Sequence, residues 1–386
     1  MKFSKTLKLS VSETMKMNGL ALQKKAAGVR VFNLSAGEPM VDSHPSIIEG
    51  AQRAMREGKT HYPPVAGIGE LRDAFAQWMN ATYQTSYTSK QCIVTCGGKS
   101  GLFMLFQALL DPGDEVVMIA PYWVSYSGIT EMFGGVPVVI PATEEKGWRA
   151  SREDIERACT ANTTLLVLNN ASNPTGVLYT QEQLRSILEF AASKNITVVS
   201  DEVYSGLMYD KNEFVSCGSF PEFQQNVVVI QSCSKHFAMT GWRVGFVLAP
   251  ESVIARLSTI QGQSTTGTSS ISQWAALGAV QNAKAVIDWV RTPMQERRDV
   301  FTKTFNTIFN ANIPLAPSGL YSFIPLAALG IKEIDSMKFC MRLLEEGNIA
   351  TVPGVAFGQE GYLRFSFGAA KEELEAALQA LSVTLI

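Results

Sequence analysis

The sequence predicts an α/β fold in which a mainly parallel sheet lies between helices and a smaller α+β domain follows. Three apolar runs, typical of strands buried on both faces, start near residues 164, 196 and 227. Their spacing of roughly 30 residues is that of a βαβ unit. A helical pattern fills the first gap, with Leu184, Ile187 and Leu188 on one face.

The last third of the chain has a different pattern of apolar residues. Residues 318–325 and 361–367 alternate apolar and polar side chains, as half-buried strands do. We therefore expect a large domain over residues 36–285 and a small, discontinuous domain formed by residues 1–35 and 286–386. The other predicted elements are helices over residues 15–27, 46–57 and 102–110, strands over residues 31–34, 91–95 and 115–119, and a long helical region over about 272–311.

Composition and charge exclude several classes of protein. The chain has 386 residues, 46% of them apolar and 18% charged, and a net charge of −2, which is typical of a globular domain protein. Without a basic patch we expect neither nucleic acid nor an anionic membrane as a partner. No apolar run approaches the ~20 residues that span a bilayer, and no signal peptide is visible.

The cysteines and histidines favour a reduced, metal-free protein. The six cysteines are scattered, so free thiols in a reducing cytoplasm are expected. The three histidines do not cluster with them, so we predict no metal site.

The segment that follows the run at residue 227 carries an amine and two phosphate-binding residue types. Lys235 lies just past a buried strand, where poor solvation lowers the pKa of an amine and makes it a nucleophile able to form a Schiff base. Ser232 and Arg243 can bind a phosphate through a hydroxyl and a bidentate guanidinium. This combination suggests pyridoxal 5′-phosphate (PLP). The alternative is a surface lysine and a surface arginine at a strand end.

Other polar residues are predicted at the same edge of the sheet. Asn173, Asp201 and Tyr204 each follow the end of an apolar run, and ligands bind outside the carboxyl ends of parallel strands. Asp201 can keep a pyridine nitrogen protonated, while Asn173 and Tyr204 can hydrogen-bond a phenolic oxygen. Taken singly, each residue also has an ordinary structural explanation. Asp201 could be a cap at a strand end, Asn173 a turn residue before proline, and Tyr204 part of the core.

A glycine turn and an aromatic residue complete this edge. Gly98, Lys99 and Ser100 connect a strand to a helix, which is an arrangement that binds anions, although plain βα turns look the same. Trp123 follows the strand at residues 115–119 and can stack on a flat ring or lie in the core.

The spacing of these motifs resembles a known family. Residues 232–245, S-C-S-K-H-F-A-M-T-G-W-R-V-G, together with A-G-E-P (36–39), N-P-T-G (173–176) and S-D-E-V-Y (200–204), are similar to class I aminotransferases of PLP fold type I. The resemblance covers about residues 10–380. It implies a seven-stranded sheet, PLP carried by Lys235, and phosphate contacts from Ser232, Arg243 and the turn at residues 98–100.

The resemblance also implies substrate and subunit contacts. Gly37 and Arg364 match residues that contact the substrate carboxylate, and Lys99, Trp123 and Asn173 would also meet the substrate. Tyr62 matches a tyrosine that reaches the phosphate of the other subunit, which implies a homodimer with shared active sites. An exposed arginine on an edge strand is the alternative for Arg364.

The implied function is transfer of an amino group between an amino acid and a 2-oxo acid. The motifs are most similar to prokaryotic aspartate aminotransferases of the gamma subgroup, which implies L-aspartate and 2-oxoglutarate as substrates in a ping-pong reaction. Ser100-Gly101 and the Ser-Cys-Ser before Lys235 depart from the commoner pattern. No second arginine can be placed for an acidic side chain, so aromatic, alanine or prephenate-type preferences stay open, as does a PLP lyase. A non-catalytic PLP-binding regulator and a nucleotide-binding enzyme are disfavoured, since neither a basic domain nor a GxGxxG or P-loop motif is present.

Overall fold

The computed structural model describes residues 13–332 and 334–385, which form twelve α-helices and twelve β-strands. The first twelve residues of the predicted small domain, Glu333 and Ile386 lie outside the described residues. The helices are α1 (Glu13–Ala26), α2 (Pro45–Arg56), α3 (Gly69–Tyr83), α4 (Gly98–Leu109), α5 (Ser125–Met132), α6 (Arg152–Ala158), α7 (Gln181–Ser193), α8 (Glu251–Ser264), α9 (Ser270–Gln281), α10 (Ala283–Phe309), α11 (Ser336–Glu346) and α12 (Lys371–Thr384). The strands are β1 (Phe32–Asn33), β2 (Cys92–Thr95), β3 (Glu115–Ala120), β4 (Val136–Pro141), β5 (Thr163–Asn169), β6 (Thr197–Asp201), β7 (Val227–Ser232), β8 (Gly245–Leu248), β9 (Tyr321–Pro325), β10 (Ile349–Ala350), β11 (Val352–Pro353) and β12 (Tyr362–Ser366).

The largest sheet has seven strands in the order β2-β8-β7-β6-β5-β3-β4. Strands β4, β3, β5, β6 and β7 pair in parallel, and only β8 runs antiparallel to both of its neighbours. The predicted α/β fold with a mainly parallel seven-stranded sheet is therefore confirmed.

Helices cover both faces of this sheet because its central strands are apolar on both sides. Along β7, Val227 and Val229 pack into one buried cluster with α3, α7 and α9, while Val228 and Ile230 pack into another with α4 and α8. Alternate side chains of a strand point to opposite faces, so a continuous apolar run requires cover on both.

A second group of elements has its own buried cluster. Strands β11, β12 and β9 form a three-stranded antiparallel sheet, and β1 pairs in parallel with β10. Side chains of α1, α10, α11 and α12 pack together with this sheet. None of the described helices combines the length and apolarity that crossing a membrane requires.

The structure differs from the sequence expectations in detail. The helical region expected over 272–311 is two helices, α9 and α10, which meet at Asn282. Strands β4 and β8 were not predicted individually. Strand β4 contains Pro137 and Pro141, which are tolerated because the strand lies at the sheet edge. Strand β8 has only four residues and follows directly on the turn that contains Arg243.

Candidate active site

One cavity collects nearly all of the predicted site residues. Its volume is about 300 Å³, and it lies where β5, β6 and β7 end, between the start of α4 and the β9–β12 sheet. The predicted residues that line it are Gly37, Gly98, Lys99, Trp123, Asn173, Asp201, Tyr204, Ser232, Lys235, Arg243 and Arg364. We call it the Lys235 cavity; Ser100 and Tyr62 are not among its lining residues.

The ends of β5 and β6 are joined by an asparagine that the sequence did not single out. Asn169 pairs in register with Asp201, and its Nδ2 donates a 2.9 Å hydrogen bond to the Asp201 carbonyl oxygen. Asn169 Oδ1 accepts a 2.7 Å hydrogen bond from the Asn173 backbone N–H. Asn169 thereby fixes the loop that carries Asn173 into the cavity.

Asp201 is a buried carboxylate with one strong donor. The Tyr126 hydroxyl donates a 2.6 Å hydrogen bond to Asp201 Oδ2, and the Val203 N–H lies 3.4 Å from Oδ1. Burial raises the pKa of Asp201 to about 6, and the hydrogen bond from Tyr126 opposes that shift. Tyr126 was missed as a site residue, although it lies in α5 only one turn after Trp123.

Lys235 is the amine that faces this carboxylate across the cavity. Its Nζ donates a 2.6 Å hydrogen bond to the Gly37 carbonyl oxygen. Burial lowers the pKa of Lys235, and interactions with Tyr321 and Glu38 oppose the shift. A lysine with a lowered pKa exposes a neutral, nucleophilic amine more readily than a solvated lysine does.

The glycine turn and the Lys235 segment meet as an anion site. Helix α4 starts without a side-chain cap after Gly97, which has φ 81°. A Cβ built on Gly97 would lie 2.5 Å from Arg243 Nη2, and one on Gly245 would lie 2.4 Å from the Gly98 nitrogen. Glycine at both positions is therefore what lets Arg243 and the start of β8 approach the helix N-terminus. Ser232 adds a hydroxyl beside it.

Lys99 and Trp123 lie together on the same wall. The Lys99 ammonium is 4.8 Å from the centre of the Trp123 indole ring. Burial lowers the pKa of Lys99, and the charges of Arg243 and Lys235 act in the same direction. Ser100, in the first turn of α4, directs its backbone N–H to the Gly97 carbonyl oxygen at 3.1 Å.

Arg364 is buried in the central strand of the small sheet, so the exposed edge-strand alternative does not hold. Only 1% of its surface is exposed. Its Nη1 donates to Asn173 Oδ1 at 3.1 Å and its Nη2 to the Ser35 carbonyl oxygen at 2.7 Å. No carboxylate of the described residues pairs with it, and its Nε lacks a partner. A buried, unpaired guanidinium is a strong site for a carboxylate.

Two further aromatic residues enclose this guanidinium. Its Cζ lies 4.2 Å from the Tyr321 ring centre and 5.2 Å from that of Phe357. The Tyr321 hydroxyl is 2.9 Å from that of Tyr204. The sequence placed Tyr321 in a strand but gave no sign of this contact, because the two tyrosines are 117 residues apart.

Tyr62 lies elsewhere on the molecule. Its side chain is 89% exposed, and it lines a second cavity with His61, Thr266 and neighbouring residues.

Within the described residues, no group of three or more histidine, cysteine, aspartate or glutamate side chains is arranged to hold a metal.

Comparisons with known proteins agree with this geometry. The sequence model of the family described as Aminotransferase class I and II matches residues 29–381. The aspartate/prephenate aminotransferase of Thermus thermophilus is 37% identical over 381 residues, covering 97% of this chain and 96% of the relative. The aspartate aminotransferase of Bacillus subtilis is 34% identical, with coverages of 97% and 96%.

A solved structure extends the likeness to three dimensions. The aspartate aminotransferase from Thermus thermophilus with maleate superposes with a TM-score of 0.93 at 35% identity, covering 100% of both chains. The predicted family and the predicted cofactor are thereby confirmed, while the roles of single residues remain predictions. The chain belongs to the class I and II aminotransferases, enzymes that depend on pyridoxal 5′-phosphate.

Proposed function

We propose that this aminotransferase transfers the amino group of L-aspartate to 2-oxoglutarate in a ping-pong reaction, giving oxaloacetate and L-glutamate. The observation that carries the proposal is the buried, unpaired guanidinium of Arg364 in the cavity that also holds the amine of Lys235. Similar relatives are named aspartate or aspartate/prephenate aminotransferases, which supports this choice of donor.

The residues of the Lys235 cavity fit PLP group by group. The uncapped start of α4, the Ser232 hydroxyl and the Arg243 guanidinium offer donors for a phosphate. Asp201 offers a carboxylate for the ring nitrogen, and Lys235 an amine for the aldehyde. Glycine at positions 97 and 245 allows the Arg243 guanidinium and the start of α4 to come close enough together to bind the same phosphate.

We assign cofactor binding to these residues. Lys235 would carry it covalently, and Gly98, Lys99, Ser100, Ser232 and Arg243 would surround the phosphate. Trp123 would lie against the ring, with Asn173 and Tyr204 donating to its phenolic oxygen. When bound, the ring supplies an electron sink for the charge left on the substrate Cα.

The chain's own part in the reaction is to hold the substrate and move one proton. Arg364 and the backbone of Gly37 would bind the α-carboxylate, which fixes the direction of the Cα–H bond. Lys235 Nζ, with its lowered pKa, would take the proton from the substrate Cα and deliver it to the aldehyde-derived carbon of the cofactor. Asp201, ionised above its pKa of about 6, would keep a proton on the ring nitrogen. Lys99, also on the cavity wall, is the available cation for a side-chain carboxylate.

A homodimer would complete the site. The exposed Tyr62 would donate to the phosphate in the other subunit, which explains why so large an apolar ring faces outward in the single chain. Mixing Lys235→Ala with Tyr62→Ala subunits tests this. Hybrid dimers would contain one intact site and regain activity, whereas no gain on mixing would contradict shared sites.

The domain boundaries and location are part of the proposal. The separate buried cluster of α1, α10, α11, α12 and the small sheets supports a large domain over 36–285 and a small one from 1–35 and 286–386. Six free cysteines, four of them buried, support a cytoplasmic location.

The deciding experiment is a panel of amino donors with 2-oxoglutarate as acceptor. L-aspartate should give the highest kcat/KM, with glutamate as product. The panel includes aromatic amino acids, alanine, and prephenate as an acceptor for glutamate or aspartate, because relatives are named for both activities. A kcat/KM for an aromatic donor or alanine well above that for aspartate would overturn the donor assignment.

A further inference from the structure

The Tyr321 hydroxyl lies at the meeting point of three functional groups of the cavity. It is 2.9 Å from the Tyr204 hydroxyl, and its ring stacks on Arg364 at 4.2 Å. A Cβ built on Gly37 would lie 2.4 Å from the same oxygen. Tyr321 is 3% exposed and lines the cavity. Core packing alone would need the ring but not a hydroxyl in this place.

The hydrogen-bond direction between the two tyrosines follows from the proposed role of Tyr204. Among the described residues each of the two hydroxyls has one hydrogen-bond partner, the other hydroxyl. A hydroxyl has a single proton, so if Tyr204 donates it to the phenolic oxygen of the cofactor, Tyr204 can only accept from Tyr321. Tyr321 is then the donor of the 2.9 Å hydrogen bond. Hydrogen bonds in such a chain strengthen one another.

The same hydroxyl faces the charged groups of the cavity. Burial lowers the pKa of both Lys235 and Arg364, and interaction with Tyr321 opposes the shift at each. Glu38 also faces Lys235, and Asp201 faces Tyr204 from the β6 end. Tyr321 therefore contacts or faces the amine, the guanidinium and the phenol that we assign to cofactor and substrate.

We infer that Tyr321 is a positioning residue with two separable roles. Its hydroxyl commits Tyr204 to donate into the cavity, towards the phenolic oxygen of the cofactor. Its ring holds the guanidinium of Arg364 in the plane that receives a carboxylate. The inference rests on the proposed function for the identity of these two ligands.

Two substitutions separate the roles. Tyr321→Phe removes the hydroxyl and keeps the ring, whereas Tyr321→Leu removes both. Ser322→Ala is the matched control, because Ser322 lies in the same strand and its buried hydroxyl has no partner among the described residues. Cofactor stoichiometry and circular dichroism establish that each variant is folded and loaded.

The first readout needs no substrate. The pH midpoint of the cofactor absorption band in the resting enzyme reports on donation to the phenolic oxygen, since a weaker donor leaves that oxygen more basic. We expect Tyr321→Phe to raise the midpoint by about half a pH unit, with Ser322→Ala at the wild-type value. A wild-type midpoint in Tyr321→Phe would overturn the role of the hydroxyl.

The second readout is the affinity for maleate, a non-reacting dicarboxylate, measured from the change in the same band. Tyr321→Leu should weaken binding about tenfold or more, the usual cost of losing a buried cation–ring contact, while Tyr321→Phe should bind within about twofold of wild type. Unchanged maleate binding in Tyr321→Leu would overturn the role of the ring. Wild-type turnover with the donor panel separately decides the proposed function, so that either idea can fail alone.

Discussion

The Tyr126 hydroxyl donates a 2.6 Å hydrogen bond to Asp201 Oδ2, and both side chains are fully buried. The other donor to this carboxylate, the Val203 N–H, lies 3.4 Å from Oδ1, so the bond from Tyr126 is the shorter of the two. The contact favours the ionised form of Asp201, which is the form able to hold a protonated ring nitrogen.

Removing this donor should move the titration of Asp201 to higher pH. In Tyr126→Phe, burial acts unopposed by that hydrogen bond, so the pKa of Asp201 rises above about 6. A hydrogen bond to a charged group contributes ~1.5–3 kcal/mol, which corresponds to about 1–2 pH units. The pH dependence of PLP affinity in the apoprotein measures the change. As pH is lowered, affinity should begin to fall at a higher pH in the variant than in wild type, because Asp201 takes up its proton earlier.

Tyr122→Phe is the control for this experiment, because it removes a hydroxyl of the same segment that does not line the Lys235 cavity. The phosphate of PLP also titrates, but its contribution to the pH profile is the same in all three proteins and does not affect the comparison between them. Identical pH profiles for Tyr126→Phe and wild type would contradict the assigned role of Tyr126.

Arg364→Lys should weaken substrate binding strongly while keeping the positive charge. A lysine cannot reproduce the two-pronged guanidinium contact, and truncating a buried charged group costs at least ~2 kcal/mol, or about 30-fold. KM for the amino acid should rise by that factor. The slow single-turnover reaction with an amine that lacks a carboxylate should change little, and an equal loss for both donors would point to general misfolding instead.

Gly245→Ala should reduce PLP affinity through the anion site. Its Cβ would lie 2.4 Å from the Gly98 nitrogen, so the start of α4 must move away from β8. Overpacking of this kind costs ~1–3 kcal/mol, and we expect PLP affinity to fall about tenfold. Gly241→Ala is the control, since a Cβ there meets nothing within 4 Å. Equal PLP affinities for the two variants would show that this contact does not shape the site.

Glu202 should make the folded protein less stable as pH rises. Its Oε1 accepts hydrogen bonds from Ser200, Ser216 and Cys217, but its Oε2 has no partner among the described residues. Burial raises the pKa of Glu202 from 4.5 to about 7. The folded state thus binds the proton more tightly than the unfolded state, so this stability is fully present below pH 4.5 and lost as pH rises through about 7.

The shift corresponds to about 3 kcal/mol at most. Glu202→Gln stays neutral in both states, so its melting temperature should fall less than that of wild type between pH 5 and pH 8. Glu345→Gln, at an exposed position, should keep the wild-type slope. A Glu202→Gln slope as steep as wild type would mean that Glu202 does not titrate in this range.

Local patterns predicted the parts of the molecule that depend on neighbouring residues in the chain. The runs near 164, 196 and 227 became β5, β6 and β7, because strands buried on both faces leave a continuous apolar signal. The polar residues after those runs line one cavity, since parallel strands bring their carboxyl ends to the same edge.

Contacts between distant segments were beyond the same reasoning. The bond from Tyr126 to Asp201 joins α5 to β6, and the Tyr204–Tyr321 pair joins the segment after β6 to β9 across 117 residues. The sequence around a tyrosine in a helix or strand looks the same whether or not its hydroxyl makes a hydrogen bond to a distant residue. Burial of Arg364 likewise depends on β12 being central in its sheet, which pairing with β9 and β11 decides.

The central claim is that the amine of Lys235 carries the cofactor in this cavity. Borohydride reduction of the PLP-loaded protein, followed by peptide mass spectrometry, locates the attachment. We expect one phosphopyridoxyl group per chain, on Lys235, and none in Lys235→Ala. Labelling of Lys99 or of surface lysines instead, with Lys235 unmodified, would contradict the account.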